Sequence, residues 1–245
     1  MTDYFLNRAS VRTFTDKEVE PELLDSILTR AAKAPTTGNM QLYSVIVSRN
    51  PEMRSRLAET HFNQPASKAP VILTICADFN RFTRWCELRK ADAGFDNFLS
   101  FTSAMADAII FAQQVVTVAE QEGLGTCYLG TVTYNAREIS EILELPELVV
   151  PVACLAIGWP AAEGAPSERL LNSGFVHQEK YRKDSDEEIL DIFKIKEDYP
   201  ANAAFAAENN KENLAQVFAE VRYPRGMNED FSVRFLELLK QKRFI

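Results

Sequence analysis

Two arginines and a serine alternate with other residues near the beginning of the chain, in Arg8-Ala9-Ser10-Val11-Arg12. In an extended segment alternate side chains share a side, so Arg8, Ser10 and Arg12 would face the same way. Guanidinium groups make forked hydrogen bonds to phosphate, and a serine hydroxyl adds a short donor. The pattern therefore predicts a compact anion site. The alternative is solvated surface charge that pairs with acidic neighbours, namely Asp3, Asp16 or Glu18.

Three further segments are candidates for ligand contacts. The loop Pro35-Thr-Thr-Gly-Asn-Met-Gln41 offers hydroxyl and amide groups, although such residues are also ordinary in turns. The segment Gly123-Leu-Gly-Thr-Cys-Tyr-Leu-Gly130 ends in a glycine, which would let the backbone approach a planar ligand closely. Alternatively, these glycines only end a helix before a buried strand. Arg169 lies in a long loop and is a ligand contact only if it converges with Arg8.

Several common catalytic patterns are missing from the sequence. It contains no G-x-x-x-x-G-K-[ST] phosphate loop and no H-E-x-x-H zinc motif. A dinucleotide fingerprint would require glycine where the chain has Tyr128, and would follow a strand rather than a helix, so a Rossmann domain is not expected. Neither His61 nor His177 has a nucleophile and an acidic partner nearby in sequence, and a catalytic triad is not indicated.

Composition and charge exclude other classes of function. The 245 residues include 35 acidic and 27 basic ones, which gives a net charge of −8. Binding to nucleic acid or to an anionic membrane requires a broad basic surface, so neither is expected, although a local anion site is compatible with this charge. The first residues lack the apolar core of a secretory signal, and charged or polar residues interrupt each apolar stretch within about 18 positions, too soon for a membrane-spanning helix.

The four cysteines show no C-x-x-C pairing, and Cys76, Cys127 and Cys154 lie in apolar runs. This usage favours free, buried thiols in a reducing cytoplasm over a metal or redox-disulfide site.

Hydrophobic periodicity predicts the elements that must position these residues. Helices are predicted over 17–34, 52–60, 98–122, 135–143, 186–196, 211–222 and 230–241. Strands are predicted over 43–48, 71–77 and 149–157, the last two buried on both faces because they are continuously apolar. Residues 78–97 are either a surface excursion or a segment that acts as a lid or contacts a partner. Residues 160–185 form a long loop. The mixture of helices with few strands indicates an α+β fold.

The order of the motifs is more specific than any one of them. Five motifs follow one another along the chain: Arg8-x-Ser10-x-Arg12-x-Phe14, Ala34-Pro-Thr-Thr-Gly-Asn-x-Gln41, Gly123-Leu-Gly-x-x-Tyr-Leu-Gly130, Ile157-Gly-Trp-Pro160 and Glu168-Arg-Leu170. This succession resembles the flavin-dependent nitroreductase family. The run Cys76-Ala-Asp-Phe-Asn-Arg81 and the C-terminal extension resemble its oxygen-insensitive NADPH nitroreductase and flavin reductase branch. The resemblance covers nearly the whole chain.

The resemblance implies a three-layer α+β sandwich around a mainly antiparallel sheet, formed by one FMN-binding domain over 1–245 with 160–245 as a loop and helical extension. It implies a homodimer with the long central helix at its interface. Arg8, Ser10 and Arg169 would hold the FMN phosphate, Arg12 would lie near N1 and O2 of the flavin, and Gln64 would contact its pyrimidine edge. The partner subunit would supply the loop with Thr37, Gly38 and Asn39. The other contacts implied are Ala9, Gln41, Tyr128, Leu129, Gly130 and Thr131, the last four behind the ring.

The activity implied is hydride transfer from NADPH or NADH, with NADPH favoured, through flavin N5 to nitroaromatics, quinones or free flavin in a ping-pong mechanism. No protein nucleophile or metal is required, and Arg12 would act as an electrostatic tuner. The alternatives are a dedicated flavin or Fe(III) reductase, a flavin-binding redox sensor without turnover, and an interaction protein that has lost its flavin.

Two departures from the branch pattern concern charge. Ser167-Glu-Arg-Leu-Leu171 stands where the branch usually has Lys-Pro-Arg-Leu-Pro, so one positive charge is missing and Glu168 adds a negative one. We expect weaker FMN retention or a lower flavin potential than in relatives with the lysine. Thr133 stands where the branch often has arginine, so the nucleotide contacts differ. Candidates for an NADPH 2′-phosphate are Lys194, Lys196, Lys211, Arg222 and Arg225.

Overall fold

A computed structural model describes residues 4–245; Asp3 lies outside the described residues. The helices are α1 (Tyr4–Asn7), α2 (Pro21–Ala31), α3 (Pro51–Thr60), α4 (Asn80–Leu88), α5 (Phe98–Gln121), α6 (Ala136–Ile142), α7 (Asp186–Glu197), α8 (Pro200–Glu208), α9 (Leu214–Gln216) and α10 (Arg225–Gln241). The strands are β1 (Tyr43–Ser48), β2 (Val71–Asp78), β3 (Gly125–Tyr128) and β4 (Val149–Gly158). Short 3₁₀ turns cover Thr37–Asn39, Pro65–Lys68, Gly130–Val132 and Asn172–Gly174, and a π-helical turn, Val217–Arg222, follows α9.

The described residues form two compact units. The larger consists of Arg8–Ala165 and Phe231–Ile245. The smaller consists of Pro166–Asp230 with the described part of residues 1–7. In the smaller unit α7 begins with a capping box, in which Ser185 and Glu188 bond to each other's backbone N–H groups.

The larger unit is built on a four-stranded sheet with the order β1-β2-β4-β3, and all three strand pairs are antiparallel. Every residue of β2 and β4 is buried, as their continuous apolar sequences predicted. Alternate side chains of β2 point to opposite faces of the sheet: Leu73 and Ile75 pack in a core with α2 and α5, and Ile72 packs in a second core with α3 and α6. The predicted three-layer α+β sandwich is therefore confirmed.

Helix α5 is the longest helix of the described residues and packs against β2 and β4. By length and composition alone it is apolar enough to cross a membrane, so the expectation that every apolar stretch is interrupted too soon was wrong. Half of its most apolar window is buried inside the protein, as in the core helix of a globular fold, and such a single helix is weak evidence for a membrane span.

Most predicted elements are confirmed, but several boundaries differ. Helix α2 begins at Pro21 rather than at residue 17, because proline lacks the N–H that a helix interior needs and is best placed in the first turn. Helix α10 begins five residues before the predicted start at 230. The predicted helix over 211–222 is only α9 and the π-helical turn, and α8 was not predicted. The segment 78–97 contains the helix α4.

Candidate functional site

The arginine-containing segment at residues 8–12 lies beside β3. The backbone N–H of Val11 donates to the carbonyl oxygen of Thr126 at 2.9 Å. This close approach depends on glycine at position 125, since a Cβ there would lie 2.7 Å from the Val11 side chain. Strand β3 therefore fixes the position of the predicted anion-binding residues.

The guanidinium of Arg8 is only partly engaged by the protein. Its Nη2 lies 3.4 Å from Oε1 of Glu120, which also accepts a hydrogen bond from Thr126 Oγ1. Its Nε is buried and has no hydrogen-bond partner among residues 4–245. Glu18, one of the acidic neighbours considered from sequence, lies 3.6 Å from Arg49 instead. A buried donor without an acceptor costs free energy, and a phosphate oxygen at Nε would remove that cost.

The same arginines act electrostatically on the end of β3. Burial raises the pKa of the Cys127 thiol, and the charges of Arg12 and Arg8 partly oppose this effect. Burial also raises the pKa of Tyr128 to about 12, against the opposing charge of Arg8. The charge of Arg8 thus acts on Cys127 and Tyr128, and that of Arg12 acts on Cys127, although more than a hundred residues separate these arginines from β3 in sequence. Ser10 is half-buried and Arg12 is exposed.

A second group forms around the turn that follows β3. The Gln64 amide donates from Nε2 to Oγ1 of Thr131 at 3.3 Å. Nδ1 of His61 lies 2.8 Å from the same oxygen, and His61 is only 1% exposed. Burial lowers the pKa of His61 to about 4, so the ring is neutral at neutral pH. Two residues predicted as flavin contacts, Gln64 and Thr131, are thus joined by a histidine that the sequence analysis had not placed in the site.

Leu129 and Gly130 complete this turn. The Leu129 side chain is buried, and its N–H donates to the carbonyl oxygen of Cys154 in β4 at 2.9 Å. A Cβ added at Gly130 would meet no atom of the described residues within 4 Å. The backbone at Gly130 therefore faces open space, and a ligand can approach it closely.

The loop with Thr37, Gly38, Asn39 and Gln41 is held separately, by a carboxylate on α5. Asp107 is 1% exposed and accepts two hydrogen bonds from Thr37, from its N–H and its hydroxyl, each at 2.8 Å. Its second oxygen accepts from the Leu42 N–H at 3.3 Å. Gly38, Asn39 and Gln41 all have left-handed backbone angles, between 55° and 59° in φ, so these bonds hold an unusual loop conformation.

Arg81 fixes the other end of this loop. It donates to the carbonyl oxygens of Gln41 and Tyr43 at 3.1 and 2.9 Å and to the hydroxyl of Ser44 at 3.0 Å. Nη1 of Arg81 also lies 3.6 Å from a carboxylate oxygen of Asp78. The motif Cys76-Ala-Asp-Phe-Asn-Arg81 thus contributes to the placement of the loop.

Arg169 lies in the smaller unit and is exposed. Its Nη1 donates to the carbonyl oxygens of Ser167 and Glu168 at 3.3 and 2.9 Å. The Glu168 carboxylate accepts from Asn202 at 2.9 Å and lies 3.5 Å from Nζ of Lys196, and these contacts hold its pKa below the usual value. The negative charge that Glu168 adds to the motif is therefore partly compensated.

Most of the cations considered for a 2′-phosphate already have partners within the smaller unit. Lys196 pairs with Glu168, Lys211 with Glu220 at 2.6 Å, and Arg225 with Glu229 at 3.8 Å. Arg222 lies over the ring of Phe205.

Sequence reasoning missed three residues that hold the candidate site: Asp107, Glu120 and His61. A carboxylate within the apolar middle of α5 was a usable signal for Asp107, because a buried charge needs partners. The contacts of Glu120 and His61 arise from the sheet order and had no local signal. The described residues include no cluster of three or more His, Cys, Asp or Glu side chains arranged for a metal ion.

Comparison with known proteins gives a consistent result. The model of the nitroreductase family matches residues 6–159. An FMN reductase [NAD(P)H] of Bacillus subtilis is 38% identical over 175 residues, 70% of each chain. An oxygen-insensitive NADPH nitroreductase of Salmonella typhimurium is 30% identical over 182 residues, 74% of each chain.

Solved structures agree with this assignment over almost the whole length. A Bacteroides fragilis protein described as an oxidoreductase has a TM-score of 0.96 and 43% identity, with 98% of both chains covered. The NfrA1 nitroreductase of B. subtilis has a TM-score of 0.86 and 25% identity, with 98% of this chain and 97% of that one covered. The chain belongs to the nitroreductase family.

Proposed function

We propose that this chain is an FMN-dependent oxidoreductase that takes hydride from NADPH or NADH and reduces nitroaromatics, quinones or flavins. The observation that carries the proposal is the convergence of distant segments on β3 and the turn after it. The segment that carries Arg8 and Arg12 is hydrogen-bonded to β3 through Val11 and Thr126, and Gln64 bonds to Thr131. Family membership supports the same activity.

The residues present fit an FMN. The buried Nε of Arg8 lacks an acceptor among the described residues, which suits a phosphate oxygen, and the open space at Gly130 suits a planar ring. Ser10 and Arg169 would add donors to the phosphate. The further contacts proposed are Ala9, Arg12, Gln41, Gln64, Tyr128, Leu129 and Thr131, and the partner subunit would add Thr37, Gly38 and Asn39.

A bound flavin supplies the hydride chemistry, and the protein binds and orients it. The Arg12 guanidinium would stabilise negative charge at the N1 and O2 edge, since a fixed cation lowers the energy of an anion beside it. Gln64 and Thr131 would orient the ring through hydrogen bonds. Arg8 would fix the phosphate without a glycine-rich loop.

We further propose that the protein acts as a homodimer in the cytoplasm, with 1–245 working as one FMN-binding domain. Several apolar side chains on α5 point outwards, including Leu99, Ile109 and Ile110, which are 75%, 43% and 44% exposed. Apolar surface on one helix face supports an interface there.

The deciding experiment is anaerobic reduction of the purified protein. We expect a flavin absorption spectrum, either as purified or after addition of FMN, and bleaching of that spectrum by NADPH or NADH. No flavin spectrum after FMN addition would overturn the proposal. A stable yellow protein that neither nucleotide bleaches would instead indicate a redox sensor.

Steady-state kinetics test the order of the two half-reactions. A ping-pong mechanism gives parallel lines in double-reciprocal plots when nucleotide and acceptor are varied, and intersecting lines would contradict it. The FMN reductase name of the Bacillus subtilis relative favours one second candidate, a dedicated flavin reductase. That candidate predicts a much higher kcat/KM for free flavin than for nitroaromatics or quinones, measured on the same preparation.

A further inference from the structure

His61 is buried against the turn after β3, and the proposed function gives it no role. Its Nδ1 lies 2.8 Å from Oγ1 of Thr131, and the Gln64 amide donates to this same oxygen at 3.3 Å. The Nε2 atom of His61 is buried and has no hydrogen-bond partner within residues 4–245. One hydroxyl oxygen is thus shared by a histidine and a glutamine.

Only one ring nitrogen of His61 carries a hydrogen at neutral pH, because burial lowers the pKa of the ring to about 4. If the hydrogen were on Nε2, it would be an N–H in a buried place with no acceptor, which is rare in proteins. If it is on Nδ1, His61 donates to Thr131 Oγ1. The hydroxyl hydrogen of Thr131 is then available for donation. Because Thr131 is only half-buried, solvent or a ligand can supply the acceptor.

A threonine hydroxyl has two acceptor positions and one hydrogen to donate. With Nδ1–H of His61 and Nε2–H of Gln64 both donating to it, the two acceptor positions of Thr131 are filled. Its hydroxyl can then act only as a donor to further partners.

We propose that His61 is a positioning residue: as the Nδ1–H tautomer it makes the Thr131 hydroxyl a dedicated hydrogen-bond donor to a carbonyl oxygen or unprotonated ring nitrogen of a bound flavin. The identity of the ligand rests on the proposed function, whereas the tautomer and the direction of the hydrogen bond do not.

The turn between His61 and Gln64 supports this role. Phe62 and Asn63 both have left-handed backbone angles, with φ of 55° and 50°, which non-glycine residues adopt at a cost. The bond from His61 to Thr131 ties the beginning of this turn to the 3₁₀ turn Gly130–Val132, and the bond from Gln64 ties its end to the same residue. Each turn is therefore fixed in position by its hydrogen bonds to the other.

The tautomer can be tested directly by NMR, because the chain contains only two histidines. Protein labelled with ¹⁵N-histidine gives distinct nitrogen shifts and long-range couplings for the two neutral tautomers, and His177→Asn removes the other set of signals. We expect the Nδ1–H pattern for His61 at pH 7 with and without FMN. An Nε2–H pattern or a charged ring would overturn the proposal. The measurement requires neither activity nor bound flavin, so it stands even if the proposed function fails.

Matched variants test the consequence for the ligand, with the dissociation constant of FMN measured by fluorescence. Thr131→Val removes the donor and should weaken binding roughly two- to tenfold, the range for one neutral hydrogen bond, whereas Thr131→Ser should retain it. His61→Leu should weaken binding similarly, and His61→Asn should restore it because an asparagine amide can donate from near the Nδ1 position.

The double variant separates a positioning role from a merely structural one. If His61 acts through Thr131, adding His61→Leu to Thr131→Val should cause little further loss of FMN affinity. An equal loss from His61→Leu in both backgrounds would overturn the proposal. If His61→Leu fails to fold, the NMR pattern and the comparison of Thr131→Val with Thr131→Ser still test the proposal. Unchanged FMN affinity in Thr131→Val would contradict a donor role.

Discussion

Arg8 is the residue on which the proposed phosphate site depends most directly, because its buried Nε has no partner among the described residues. We expect Arg8→Ala to weaken FMN binding by about 1.5–3 kcal/mol, the range for one hydrogen bond to a charged group. Arg8→Ala combined with Arg169→Ala should weaken it further. Isothermal titration of the apoprotein with FMN measures this loss.

Riboflavin provides the control for that prediction, because it has the same ring without the phosphate. Its affinity should change little in Arg8→Ala, and Arg84→Ala, which alters an exposed arginine paired with Glu87, should affect neither ligand. Equal losses of FMN and riboflavin affinity would place Arg8 elsewhere than at the phosphate.

His61 also makes the stability of the protein depend on pH. Its pKa is about 4 in the folded chain, against 6.5 for an ordinary histidine, so the unfolded chain binds the proton first as pH falls. Below pH 6.5 the free energy of unfolding should therefore decrease, and the loss should level off below about pH 4. The difference of pKa corresponds to about 3 kcal/mol.

Urea unfolding at several pH values between 7.5 and 4 measures this effect. Subtracting the curve of His61→Asn from that of the wild type isolates the histidine from the carboxylates that also titrate near pH 4. His177→Asn is the control and should keep the wild-type slope. The assignment to His61 is wrong if His61→Asn keeps that slope as well.

At the scale of elements, continuous or periodic apolar patterns predicted what lies in the core. β2, β4 and α5 were located to within a residue or so, since each buries many apolar side chains and few alternatives fit such sequences. The helix α8 was missed although Pro200 at its first position and its alanine-rich sequence are helix signals. Its sequence alternates little between apolar and polar sides, so periodicity was the wrong test.

The candidate site was only partly predictable for a different reason. Residues 8–12 and the two glycine-containing segments were identified as candidates, and the segment 8–12 does lie beside β3, through the bond from the Val11 N–H to the Thr126 carbonyl. The partners that hold the site are distant in sequence: Asp107 and Thr37 are 70 residues apart, and so are His61 and Thr131. Such pairs depend on the strand order β1-β2-β4-β3, which no local pattern encodes.

The connection between α5 and the loop after α2 depends on the two acceptor oxygens of Asp107. Its two oxygens accept three hydrogen bonds, from Thr37 and Leu42, and an asparagine amide nitrogen can accept none. Asp107→Asn should therefore destabilise the protein by about 1–3 kcal/mol and accelerate hydrogen exchange at the Thr37 and Leu42 amides. Asp92→Asn makes the same change at an exposed site and should do neither. Unaltered exchange at both amides in Asp107→Asn would show that the loop is held by other contacts.

At the scale of the whole molecule, the outward apolar side of α5 decides whether the chain functions alone. Ile109 and Ile110 are nearly half exposed, and a charge at either position would be buried in a dimer that uses this face. We expect the wild type to have twice the 27.7 kDa mass of the chain in light scattering, and Ile109→Glu with Ile110→Glu to shift it towards the monomer. The monomer should also lose FMN, because the loop with Thr37 is proposed to complete the partner's site.

Val47→Glu is the control, because it places the same charge at an apolar residue of β1 with similar exposure, 40%, and it should remain dimeric. A dimeric Ile109→Glu and Ile110→Glu variant with full FMN content would exclude α5 as the interface.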